Sequence, residues 1–294
     1  GVKSFTELTK IIRDKYRLKR NLGLGKPLSE LEIEAEMNSL SNKNISNKIC
    51  FLGSGVYDHF IPSAVDFITN RSEYYTAYTP YQAEVSQGTL QVLYEYQSMI
   101  CELSGMDIAN ASLYDGASAI AEACMLALSV TKKTTILFPE TMHSHFKNVM
   151  RTLLYGQKVN LIELPHKNGI TDLTRIKKYR ENLSAVIIQS PNTFGLIEDW
   201  AKAKDNLSDS QALLIAHSDP MTLSQLKNPG ESGADIYIGD GQTLGNPMNY
   251  GGPLLGIFAT KKQYKRQVPG RIVGKTVDMD GASGFVLTLQ TREQ

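Results

Sequence analysis

Read for the spacing of apolar and polar positions, the chain divides into a mixed front and a regularly alternating body. In the body, short apolar runs recur at Ala109–Leu113, Thr135–Phe138, Val159–Leu164, Ala185–Gln189, Ala212–Ala216, Asp235–Ile238 and Leu254–Ala259. Each is apolar at odd and even positions alike, as a strand is when helices cover both faces of its sheet. Helical patterns lie between most of them, at Ser118–Val130, Met142–Tyr155, Leu173–Asn182, Asp199–Leu207 and Thr222–Lys227. This alternation predicts an α/β fold with a mostly parallel, doubly wound, seven-stranded sheet. Such sheets hold ligands beyond the carboxyl ends of their strands, which makes the residues after each strand the candidates.

The front is helical and interrupted. Ser4-Phe-Thr-Glu7 and Ser29-Glu-Leu-Glu32 have the form of capping boxes, in which hydroxyl and carboxylate satisfy backbone N–H groups, and they predict two helices. Lys15, Arg17, Lys19, Arg20 and Lys26 lie between them, as a solvated face or as a docking arm for an acidic surface. After a polar linker at Ser41–Lys48, the stretch Phe51–Phe60 is rich in glycine and aromatics but lacks the Gly-Lys-Ser/Thr ending of a P-loop. Ile61-Pro62 opens a short helix with Pro62 in its first turn. An aromatic segment, Tyr74–Tyr81, precedes a helix over Glu84–Ser104 that Gly105 stops.

Composition removes several function classes. Hydrophobic residues make up 41% and charged residues 21%, an ordinary globular mix. Lys+Arg of 31 against Asp+Glu of 30 leaves no electrostatic footprint for nucleic acid. Cys50, Cys101 and Cys124 are dispersed, with no CxxC pair, which fits free thiols in a reducing compartment. No apolar run approaches the ~20 residues that span a bilayer, and the start resembles neither a signal nor a transit peptide. A cytoplasmic protein is expected, with a few residues missing before Gly1 because no initiator methionine is present.

The strand ends supply the candidate chemistry. The first strand runs into Tyr114-Asp-Gly-Ala-Ser118, where a helix N-terminus offers N–H groups to a phosphate; a capped turn explains Asp115, Gly116 and Ser118 equally well. The second leads to His143 and His145, whose i, i+2 spacing does not suit a metal pair; one could stack on a planar ring, or both could be surface residues. The fifth ends at Asp219, which could hold a ring N–H⁺ or simply cap the next helix. The sixth opens into Gly239-Asp-Gly-Gln-Thr-Leu-Gly245, with no lysine between Lys227 and Lys261.

Phosphate turn, stacking histidine, aspartate and strand-end loop come in the active-site order of pyridoxal-phosphate (PLP) enzymes of fold type I, the aspartate-aminotransferase-like fold. Longer motifs narrow this: Phe51-Leu-Gly-Ser-Gly-Val-Tyr-Asp-His59, Tyr75-Thr-Ala-Tyr-Thr-Pro-Tyr-Gln82, Ser86-Gln-Gly88, Met99–Asp107, Asn110–Gly116, Gly233-Ala-Asp235, Gly251-Gly-Pro253, Pro269–Gly274 and Gly284–Gln294. On these the chain resembles, end to end, the glycine decarboxylase P-protein family, and within it the α-subunit type of the two-chain form. The resemblance implies that glycine loses its carboxylate as CO₂ on PLP, and that the aminomethyl group passes to the lipoyl arm of H-protein. It places the Schiff-base lysine on a β subunit. Where β-type sequences carry His-Lys, this chain has Gln242-Thr243, and neither side chain can form a Schiff base.

No catalytic residue is therefore expected in this chain alone. Asp115, Gly116, Ser118, His143, Asp219, Gln242 and Thr243 would be remnants of a cofactor pocket that stays empty, with no metal. Tyr78, Thr79, Tyr81, Gln82, Tyr250, Gly251 and Gly252 are the expected contacts to the partner's site, or else the anchors of a domain seam. The implied domains are a helical arm and interface segment (1–80), a PLP-transferase-like large domain (81–270) and the start of a smaller C-terminal domain (271–294), which the family carries further. Competing readings are a self-sufficient PLP enzyme using Lys227 or Lys261, a non-catalytic scaffold, and the front half of a fused P-protein.

Overall fold

The computed structural model describes residues 1–45, 49, 51 and 55–289. Residues 46–48 of the polar linker, Cys50, residues 52–54 of the glycine-rich motif and residues 290–294 of the last motif lie outside the described residues. The chain divides into two compact units, Gly1–Phe51 and Leu52–Gln294.

In the first unit, α1 (Phe5–Leu8) and α2 (Glu30–Ser41) begin where the capping signals predict. The box at α2 is complete: Ser29 N donates to Glu32 Oε2 at 2.7 Å, and Glu32 N donates to Ser29 Oγ at 3.4 Å. At α1 it is half made, because the Glu7 carboxylate accepts from Lys3 N instead, and the helix ends after four residues. Arg17 folds back on Thr9 Oγ1 (2.6 Å) and on the Thr6 carbonyl, so it is not a free docking charge. None of the described residues of this unit is buried, and Phe5, Ile11, Leu24 and Leu31 are among its exposed apolar side chains.

The second unit opens with α3 (Ser63–Thr69), whose N-cap is Pro62, one position before the predicted first turn. Next come α4 (Ser72–Tyr75), α5 (Gln87–Ser104), β1 (Ile108–Ala109), α6 (Gly116–Thr131), β2 (Thr135–Pro139), α7 (Ser144–Leu153) and β3 (Asn160–Leu164). The remainder comprises β4 (His166–Lys167), β5 (Ile170–Thr171), β6 (Leu183–Gln189), α8 (Trp200–Asp205), β7 (Leu213–His217), β8 (Ile236–Asp240), β9 (Gly256–Thr260), β10 (Ile272–Val277) and β11 (Ser283–Thr288). Seven strands form the main sheet in the order β1-β9-β8-β7-β6-β2-β3. Pairing is parallel from β8 to β3, while β9 runs antiparallel to β8 and β1.

Alternate residues of each central strand feed two separate cores. Leu137, Val186, Ile188, Leu214, Ala216 and Tyr237 face one side, packed by Ile100 of α5, Ile176, and Trp200 and Ala203 of α8. Ile136, Phe138, Ala185, Ile187, Leu213, Ile215, Ile236 and Ile238 face the other, against α6 and α7. That is why the strands read as continuous apolar runs.

Several local elements differ from the spacing. Of the predicted 109–113 strand only Ala109 pairs within a ladder, with Leu113 in an isolated bridge to Gly256, because Asn110 Nδ2 turns to the Pro269 carbonyl (2.9 Å) and Ala111 N to the Arg271 carbonyl (2.7 Å). The predicted helix at Leu173–Asn182 is a 3-10 run, with Leu173 and Ile176 buried at i, i+3. Thr222–Lys227 is likewise no α-helix; a 3-10 turn at Pro220–Ser224 stands there, and Pro229 biases the preceding residue away from helix. Two hairpins, β4–β5 and β10–β11, escaped the periodicity altogether.

Asp235 anchors the edge of the sheet opposite the strand ends. Its buried carboxylate accepts from Lys204 Nζ (2.6 Å), Lys261 Nζ (3.1 Å) and Leu214 N (2.9 Å). Asp235→Ala is expected to cost about 1.5–3 kcal/mol, the scale of buried hydrogen bonds to a charged group. Urea midpoints of the two proteins check this; a loss below about 0.5 kcal/mol, as for a surface change, contradicts it.

Candidate functional site

A cavity of about 490 Å³ opens where the sheet topology predicts, beyond the carboxyl ends of β6, β7 and β8. Gln189, Asn192 and Thr193 follow β6; His217, Ser218 and Asp219 close β7; Asp240, Gln242 and Thr243 close β8; His143 and Phe146 come from the start of α7, and Gly55 and Tyr57 from the front of the unit. Of the sequence candidates, His143, Asp219, Gln242 and Thr243 line it. Asp115, Gly116 and Ser118 sit just behind it, joined to it through Asp240. Tyr78, Tyr81 and Tyr250 are exposed (85%, 57% and 95%) and none of them lines the cavity.

Most polar groups here are satisfied internally. Gln242 is buried, and its amide works at both ends: Nε2 donates to the Tyr57 and Asn246 carbonyls (3.0 and 2.8 Å), and Oε1 accepts from Tyr57 N (2.9 Å). Thr243 Oγ1 donates to Asp219 Oδ1 at 2.8 Å, and the same oxygen accepts from Met221 N, so Asp219 also caps the turn after it. His143 is the N-cap of α7: its Nδ1 accepts from His145 N (3.2 Å) and its own N donates to Gln189 Oε1 (2.9 Å). His145 is exposed and does not line the cavity.

Behind the β6 loop, Glu198 is buried without a cation in its ion-pair range among the described residues. Hydroxyls and N–H groups replace one: Thr171 N and Oγ1, Thr141 Oγ1 and Asn192 Nδ2 all donate to its carboxylate, between 2.8 and 3.2 Å. This brace fixes Asn192 at the cavity wall.

Sequence reasoning missed three residues here. His217 is only 4% exposed, packs at 4.4 Å from the Phe146 ring and has no hydrogen-bond partner for Nδ1. Burial, and secondarily the nearby His143, push its pKa down to about 3, so it is neutral at physiological pH. Asp240 accepts from Gly116 N (3.0 Å) and Gln242 N (3.0 Å), and burial raises its pKa above the ordinary carboxylate range. His59 sets Nε2 against the Gln242 and Asn246 carbonyls (both 3.1 Å) and Nδ1 against the Phe60 carbonyl (3.2 Å). All three stand beside residues the sequence singled out, but only the folded contacts reveal their roles. No described residue lining the cavity is a lysine or arginine. Lys261, the nearest lysine after the loop, is held by Asp235 at the other edge of the sheet.

Two measurements check this geometry. Gln242→Leu leaves both the Tyr57 N–H and carbonyl without their amide and is expected to lower stability by about 1–3 kcal/mol, with faster proteolysis near Tyr57. An unchanged urea midpoint contradicts it. The acceptors around His59, the Phe60 carbonyl foremost, raise its pKa. A raised folded pKa means its contribution is complete below the unfolded value of about 6.5 and is lost as pH rises through the folded one. The stability gap between the natural protein and His59→Ala should thus be larger at roughly pH 6 than at pH 8; a pH-independent gap refutes the assignment.

The comparisons agree with this picture. The family model described as glycine cleavage system P-protein matches residues 1–294. A relative from Desulforamulus reducens, described as a probable glycine dehydrogenase (decarboxylating) subunit 1, is 50% identical over 297 residues, covering 100% of this chain and 67% of its own length. A crystal structure of glycine decarboxylase (P-protein), in inhibitor-bound form, superposes with a TM-score of 0.93 at 43% identity, over 99% of this chain and 65% of that one. Pyridoxamine-pyruvate aminotransferase from Mesorhizobium loti, at 16% identity and a TM-score of 0.52 over 72% of this chain and 51% of its own, shares the fold. The chain thus spans about two thirds of the length of the relatives it matches. With its fold, its strand-end cavity and its motifs in agreement, the chain belongs to the glycine cleavage system P-protein family.

Proposed function

We propose that this chain is the α-type, non-cofactor-binding subunit of a two-chain glycine decarboxylase. Together with a β subunit it would release CO₂ from glycine and pass the aminomethyl group to the lipoyl arm of H-protein, in the cytoplasm. One observation carries the division of labour: Thr243, at the loop position where β-type sequences have the Schiff-base lysine, bonds to Asp219, and no described residue lining the cavity is a lysine. These residues do not fit a PLP of the chain's own. They offer no amine for a Schiff base, and one oxygen of the aspartate that would face the ring nitrogen, Oδ1, is taken by Thr243 Oγ1 and Met221 N.

In this reading PLP belongs to the β subunit, and this chain acts through surface and support. Tyr78, Thr79, Tyr81 and Gln82, with Tyr250, Gly251 and Gly252, are the proposed contacts to the partner's site. Tyr81 is already oriented, its hydroxyl 3.2 Å from Arg271 Nη2. Exposed tyrosines suit this role, since a rigid ring gives large contact area at small entropic cost. Residues 1–80 would serve as arm and interface segment, 81–270 as the large domain and 271–294 as the start of a smaller one. Cys124 and Cys101, both free thiols, fit a reducing compartment. Among the described residues no helix is long and apolar enough to cross a membrane.

The purified chain alone is expected to show no exchange of labelled bicarbonate with the glycine carboxyl, and mixing with a β subunit and lipoylated H-protein should restore it. Exchange by the chain alone would sink the proposal. Tyr78→Ala and Tyr250→Ala should leave stability within about 0.5 kcal/mol. Each should still weaken β-subunit binding by about 1–2 kcal/mol, read by titration calorimetry; unaltered affinity in both removes these tyrosines from the interface.

A further inference from the structure

Just behind the cavity wall, a helix N-terminus is occupied by the chain's own carboxylate. Helix α6 runs sixteen residues from Gly116, long enough for a full field at its first turn, where free amides favour a negative charge. Gly116 is packed so tightly there that a Cβ would lie 3.0 Å from Asp240 N and 2.9 Å from the Phe146 ring. Its amide donates to Asp240 Oδ2 at 3.0 Å. The other carboxylate oxygen accepts from Gln242 N at 3.0 Å and, more distantly, from Leu255 N at 3.5 Å. Behind it, Asp115 Oδ1 accepts from Ser118 N (2.6 Å) and Ser118 Oγ (2.8 Å). Two internal carboxylates thus occupy three donors of one helix start.

Asp240 also forms part of the cavity wall, and the other carboxylate on that wall is Asp219. No lysine or arginine among the described lining residues offsets either charge. To reach the Gly116 amide from this cavity, a phosphate ester would have to displace Asp240 from it. It would also meet negative charge on both sides, in surroundings where burial weakens screening. An uncharged or cationic ligand of the same size faces neither obstacle.

We infer that Asp240 is the specificity-determining residue that bars phosphate-bearing ligands from this cavity, by holding with its own carboxylate the helix N-terminal amide that an entering phosphate would need. The loss of a lysine at Thr243 and the presence of this carboxylate are then two separate barriers to PLP. The second concerns phosphate recognition alone and stands whether or not the assembly proposed above is correct.

The test compares T243K with T243K/D240N, each titrated with PLP and with pyridoxal, which has the same aldehyde and no phosphate. Binding is followed by Schiff-base absorbance and by mass spectrometry of the borohydride-reduced adduct. The double variant is expected to bind PLP at least about tenfold more tightly than T243K, the scale of one charge-assisted hydrogen bond. Pyridoxal affinity should change less than about twofold, since it has no phosphate to compete with Asp240. The neutral Asn amide still accepts from Gly116 N, which keeps the fold, but it holds that N–H more weakly than a carboxylate and sets no charge against an entering phosphate. Melting checks folding, and T243K/D240G, which frees the amide outright, is titrated in parallel as an independent reading. Equal PLP affinity with and without Asp240, a gain shared by pyridoxal, or no PLP binding by a folded double variant would each overturn the inference.

Discussion

The carboxylate of Asp240 is the joint on which the site end of this molecule depends. Standing at the last position of β8, it reaches across 124 residues of sequence to the first amide of α6 and turns back to the amide of Gln242 in its own loop. Burying a charge is costly unless donors replace the water it loses, and here backbone amides and a helix terminus supply them. With the strand end tied to the helix start, Gln242 is set beneath Tyr57 and Asn246, where both ends of its amide are used. One carboxylate thus links the helix start, the loop and the cavity wall.

This joint supports a strand-end cavity whose polar groups mostly serve the fold. Asp219 caps a turn and accepts from Thr243, Glu198 is ringed by hydroxyls and N–H groups, and Gln242 is a brace. Working active sites keep reactive groups poised for a ligand. Here the exception is His217, neutral and with an unpartnered Nδ1 against the Phe146 ring. The surface shows the reverse: large aromatic and aliphatic side chains such as Phe5, Phe60, Phe67, Tyr78 and Tyr250 stand in solvent. Interior saturation and exposed aromatics together fit a subunit whose contribution is made to a partner.

The central sheet was legible in the sequence because each inner strand, covered on both faces, writes its burial as an unbroken apolar run; Ala185–Gln189 and Ala212–Ala216 mark the positions of β6 and β7 to within two residues at each end. The β4–β5 hairpin carried a readable signal too, an Asn168-Gly169 turn with both residues at positive φ (52° and 81°), which strand–helix alternation does not register. The first strand is shorter than its apolar run because its middle is diverted by tertiary bonds to Pro269 and Arg271, which no local pattern encodes. At the site, Gln242 and Asp219 were found from their loop positions. Their roles as brace and cap emerge only once Tyr57, 185 residues away, and Thr243 are in place.

The central claim is that the Schiff-base amine comes from outside this chain. Borohydride reduction of the active complex with a β subunit, followed by proteolysis and mass mapping of the pyridoxyl group, tests it directly. A single modified lysine on the β subunit and none on this chain is the predicted result; a pyridoxyl group on Lys227, Lys261 or any other lysine of this chain would contradict it.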